Sequence, residues 1–134
     1  MIKSQAQRQR TEAQIEGFRR AAESSGATGK RAEVLRKSYE GMISQLEDEL
    51  REYDDLRAGS FRPPPIARLD EIAPFLVKLR IARGCTQTQL AERLGVSKQV
   101  VSRLEEQEYQ TASVARIQEI LDVLGVTTEV RLSA

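Results

Sequence analysis

Apolar residues recur at intervals of three and four through most of the chain, the spacing of helices with one buried face. From 29 to 58 they are Leu35, Tyr39, Met42, Ile43, Leu46, Leu50, Tyr53 and Leu56, a seam of the coiled-coil type. Residues 4–25 carry a thinner stripe of Ile15, Phe18, Ala21 and Ala22. The only break between the two is Ser24-Ser25-Gly26-Ala27-Thr28-Gly29. Ser4 and Gln7 have capping-box spacing, and Gly26 is placed to end the first helix. The pattern predicts helices over about 4–25 and 29–58, paired as a hairpin or coiled-coil arm. The second helix has more apolar surface than the first can cover. A further partner is expected, either the same arm of a second subunit or a different protein.

Residues 59–68 (Gly-Ser-Phe-Arg-Pro-Pro-Pro-Ile-Ala-Arg) read as a linker. Three consecutive prolines lack N–H donors and favour an extended segment. The chain is thus divided into an arm (1–58), a linker (59–68) and a second helical domain (69–134).

Within that domain Ile72, Phe75, Leu76, Leu79 and Ala82 share one helical face, Pro74 fits a first turn and Gly84 ends the helix. Thr86-Gln87-Thr88-Gln89 has the form of a capping box, opening a short helix with Leu90, Ala91 and Leu94 inside. Gly95 is free to turn left-handed and Ser97 to cap the next helix. That helix is Lys98 to Glu105, with Val100, Val101 and Leu104 expected inward. Two short helices joined by a three-residue turn containing glycine make a helix-turn-helix. Val126 to Leu132 alternates and is rich in β-branched side chains, which predicts a short strand. The expected class is mainly all-α, with one C-terminal β-strand.

Composition narrows the function. The 134 residues include 31% charged and 4% aromatic side chains, no His, and a net charge of only +1. Cys85 is the single cysteine, which excludes an internal disulfide and a Cys-based metal cluster. It reads as a small buried residue. Carboxylates lie in helical charge runs such as Glu47-Asp48-Glu49, without a His, a nucleophile motif or a Gly-rich phosphate loop. No catalytic residue, metal or cofactor is expected. With no apolar run of the roughly 18–20 residues that span a bilayer and a polar start, the expectation is a cytoplasmic protein with no membrane contact.

The stretch from Arg83 to Ser97 (Arg-Gly-Cys-Thr-Gln-Thr-Gln-Leu-Ala-Glu-Arg-Leu-Gly-Val-Ser) resembles the Xre/Cro family of phage-repressor-like proteins. Leu104-Glu105 and the run from Ile120 to Gly125 extend the likeness, which covers about residues 70–125. The loop from Glu106 to Ala112 departs from the family's usual glycine- and proline-containing form. The resemblance implies double-stranded DNA as partner. Ser97, Lys98, Gln99, Ser102 and Arg103 would then read base edges in the major groove, and Gln87 would meet a phosphate at a helix N-terminus. Charge agrees with it. Residues 78–103 hold six basic side chains (Lys78, Arg80, Arg83, Arg93, Lys98, Arg103) and one acid, Glu92, whereas 104–134 is net −4. Arg80 and Arg83 are both candidates for phosphate contact.

One recognition helix reads few base pairs. The family places two of them about 34 Å apart on a palindromic operator. A homodimer is therefore expected, formed by the strand Val126 to Leu132 with the preceding helix, or by the arm. A helical arm, a proline linker and an Xre-type domain also resemble the antitoxins of type II toxin–antitoxin pairs, which implies autoregulation and a toxin as second partner. Two readings stay beside it: a stand-alone transcriptional regulator of the same family, and a coiled-coil adaptor whose helix-turn-helix binds protein.

Overall fold

The computed structural model describes every residue except Ser25 and Ala27. It divides into two compact units, Met1–Asp55 and Leu56–Ala134.

The first unit contains α1 (Gln5–Ser24) and most of α2 (Gly29–Arg57). Ser4 opens α1 by accepting a hydrogen bond from the Gln7 amide at 3.2 Å, while the Gln7 side chain accepts from the Lys3 amide at 3.0 Å. The return leg of the expected cap thus lands one residue early, on Lys3 instead of Ser4. The expected break is found where the pattern put it, between the end of α1 at Ser24 and the start of α2 at Gly29; within it Ser25 and Ala27 lie outside the described residues. The two helices run antiparallel. Arg8 donates two hydrogen bonds to the Asp54 carboxylate, at 2.7 and 2.8 Å, and Arg19 donates to Glu47 at 2.7 Å. The Phe18 and Tyr39 rings lie 5.9 Å apart. Ile2, Thr11, Ile15 and Tyr53 are buried, whereas Leu35 and Met42 of the predicted seam are exposed.

The second unit begins at Leu56, itself buried. A 3₁₀ turn (Leu69–Ile72) leads into α3 (Phe75–Ala82), α4 (Gln87–Leu94), α5 (Lys98–Glu106) and α6 (Val114–Leu124). Leu76, Leu90, Val101, Ile120 and Leu121 form its core, all but withdrawn from solvent. Truncating one such leucine to alanine costs about 2–5 kcal/mol. The predicted linker is not bare: the Phe61 ring lies 5.9 Å from Phe75, and the Lys78 ammonium sits 5.8 Å from the centre of the Phe61 ring.

The strand expected over Val126 to Leu132 does not form, and no strand occurs among the described residues. Gly125 ends α6 at φ +68°, in the left-handed region. Beyond it the tail lines a groove of about 470 Å³ together with Pro63, Pro64, Pro65 and Ile66. A strand needs a neighbouring ladder, and this neighbour carries three residues without an N–H. The alternating pattern has a β propensity but nothing to pair with inside one chain.

Candidate nucleic-acid interface

The interface is built from local sequence signals. Thr86 caps α4 by accepting from the Gln89 amide at 3.1 Å, and the Gln89 side chain accepts from the Thr86 amide at 2.9 Å. Gly95 takes φ +71°, where a side chain would be strained. The Val96 amide then closes back onto the Ala91 carbonyl at 3.0 Å. Ser97 comes next in extended conformation, and its hydroxyl accepts from the Val100 amide at 3.3 Å. The chain passes from α4 to α5 in three residues.

Ser97, Lys98, Gln99 and Arg103 are exposed and Ser102 is half-buried. Positions 98 and 102, and 99 and 103, are each four apart, so they form two adjoining rows on the outside of α5. Behind them Val101 and Glu105 are sealed from solvent. Val100, expected inward, is 38% exposed. The buried side of α5 is marked by Val101 and Glu105, four apart, and Val100 falls off it. Among the described residues, Arg83, Arg93, Lys98 and Arg103 have no ion-pair partner.

Arg80 departs from its expected place. It is a core residue, not a phosphate contact. Its Nε and Nη2 donate to the two oxygens of Glu105 at 2.7 and 2.9 Å, and Nη1 donates to the Cys85 carbonyl at 2.8 Å. Tyr109 donates to the same carboxylate at 3.3 Å. A further donor is Gln87, whose Nε2 reaches Glu105 Oε1 at 2.7 Å. An amide nitrogen carries two protons, so Gln87, at the start of α4, commits one to Glu105 and has a second to offer. Burial pushes the Tyr109 hydroxyl pKa well up, and the adjacent Glu105 charge adds to the shift. Burial likewise raises the Cys85 thiol, which suits an inert packing role.

This network is not among the sequence-based expectations, although a signal for part of it exists. Arg80 sits four residues after Leu76, at a core position of the α3 stripe, and Glu105 sits four after Val101. Tyr109 gives no such signal, because it and Glu108 adopt positive φ, 58° and 51°, in the loop that closes α5.

Among the described residues no helix is long and apolar enough to cross a membrane. Residues 76–130 match the helix-turn-helix family model. No curated protein and no solved structure matches the chain. The match begins in α3 and ends beyond α6, enclosing the capped turn and the exposed face of α5. Over residues 76–130 the chain carries a helix-turn-helix of the Xre/Cro type, which supports DNA binding by this segment.

Proposed function

We propose that this protein is a sequence-specific repressor that binds a palindromic operator as a homodimer. The observation that carries the reading is the opening of α5. Lys98 and Gln99 stand exposed there, while Val101 and Glu105 anchor the same helix in the core. A rigidly held helix end with free polar tips is what major-groove readout requires. Gln99 pairs with adenine N6 and N7, and Lys98 or Arg103 reaches guanine N7 and O6. Ser97 and Ser102 complete the set, and exposed Val100 is placed to meet a thymine methyl. Gln87 and the N-terminus of α4 hold a phosphate.

The test is selection of operator sequences from a random DNA pool, followed by competition with single-base variants. Gln99→Ala should lose about 1–3 kcal/mol at one base pair and accept substitutions there. An unchanged operator preference would sink the assignment of α5 as the reading helix.

The finer reading is an antitoxin that represses its own operon and holds a toxin outside the DNA-binding unit. What favours it is the arm, a helical hairpin with buried side chains of its own in a unit separate from the helix-turn-helix. Co-expression with the adjacent reading frame tests it: the product of that frame should be toxic alone and harmless with this chain. A harmless neighbour leaves the stand-alone regulator.

A further inference from the structure

Charge is unevenly spread along α2. Residues 30–37 carry Lys30, Arg31, Arg36 and Lys37 against Glu33; residues 47–55 carry six acids against Arg51. The helix thus has a basic first third and an acidic last third. Between them lies a face with no charge at all. Val34, Leu35, Ser38, Gly41, Met42 and Gln45 succeed one another at helical spacing and all are exposed, Val34 at 67%. This face is adjacent to the one turned toward α1, where Tyr39, Ile43 and Leu46 are half-buried. In a helix so rich in ionised residues, three exposed aliphatic side chains on a charge-free surface mark an interaction site.

The charges identify the occupant. We propose that α2 packs antiparallel on α2 of a second copy through this face, and that this contact makes the dimer. The inference rests on the dimeric reading above and names its surface. A parallel pairing would stack basic third on basic third and acidic on acidic. The antiparallel pairing brings Lys30 and Arg31 of each copy beside Asp48 and Glu52 of the other. Its two-fold axis then passes near Gly41. A glycine inside a helix weakens it relative to alanine. At Gly41 no atom lies within 4 Å of where a Cβ would stand, so nothing inside the chain requires its absence. On the proposed contact, its lack of a side chain would let the second helix approach closely.

The experiment is sedimentation equilibrium on the full chain, with circular dichroism as a check on folding. The wild type should be a dimer at micromolar concentration. Ser38→Glu with Gly41→Glu places like charges across the axis, and should raise the dissociation constant at least tenfold with helicity kept. Lys30→Glu with Arg31→Glu should do the same. Adding Asp48→Lys and Glu52→Lys to that protein should restore the dimer, because the reversed thirds again attract. A monomeric wild type overturns the proposal. So does a dimer that survives the face variants, or one that the fourfold reversal fails to restore. A dimer lost only on cutting after Gly125 also overturns it, and places the contact in the C-terminal tail. Footprinting separates the two readings: the face variants should still protect single half-sites. A dimeric wild type without sequence preference would sink the regulator reading and leave the arm contact standing.

Discussion

Arg80 of α3 and Glu105 of α5, 25 residues apart, meet in a fully buried two-point ion pair. Both oxygens of the carboxylate are engaged, and the guanidinium turns its third nitrogen to the Cys85 carbonyl. The pair ties the helix before the motif to the second helix within it. Its cost in lost hydration is large, so its net contribution is small. Removing one partner is another matter, because the other charge is then left buried and unpaired.

Glu105→Ala should therefore lose about 3–5 kcal/mol of unfolding free energy. Arg80→Met with Glu105→Leu should recover most of that loss. Urea denaturation of the three proteins checks both statements. A Glu105→Ala protein as stable as wild type would show that the pair does not hold α5.

Neutral and charged phosphate contacts separate by salt. Gln87 is neutral, so Gln87→Ala should weaken binding to every sequence by about 1 kcal/mol with the salt slope unchanged. Arg83→Ala should weaken every sequence and flatten the slope by about one counterion, the signature of a phosphate contact. Arg80→Met should change neither slope nor preference once its lower stability is allowed for. Fluorescence anisotropy across a salt series reads all three. A flattened slope for Arg80→Met would return that residue to the DNA surface.

Tyr109 adds a pH dependence. Its hydroxyl pKa is raised above the ordinary value of 10, first by burial and then by the Glu105 charge. The folded chain keeps a proton that the unfolded chain releases near pH 10. The contribution is whole below that pH and falls as pH rises through and beyond it. Tyr109→Phe should cost about 1 kcal/mol at a pH of about 8 and decline less steeply at higher pH. Urea midpoints from about pH 8 to about pH 11, spanning the ordinary tyrosine range, compare the two proteins. Parallel declines would remove Tyr109 as the source.

The boundary of the helix-turn-helix unit is open to a direct measurement. A fragment of residues 56–134 should melt cooperatively without the arm. A fragment starting at residue 66 should also fold but be less stable, since it lacks buried Leu56 and the Phe61 ring beside Phe75. Equal stability would mean that residues 56–65 add nothing.

Much of the motif was legible without coordinates because its signals are local. Thr86 with Gln89, Gly95 and Ser97 each act within four residues, through caps and a left-handed turn. The apolar spacing of α4 puts Leu90 and Ala91 inside for the same reason, whereas α3 buries Val77, Arg80 and Ile81 besides the expected Leu76 and Leu79 and leaves Phe75 and Ala82 half-covered. Three features were decided only by the tertiary structure. Arg80 reads as one more cation in a basic stretch until α5 delivers Glu105 beside it, and only long-range packing can do that. Val100 belongs to the apolar set by type, yet α5 buries Val101 and Glu105 instead, which leaves it outside. Val126 to Leu132 has the pattern of a strand, but a strand exists only with a partner, and the segment beside it is built of prolines. Caps and periodicity belong to the chain's own neighbourhood; pairing, whether of charges or of strands, belongs to the fold.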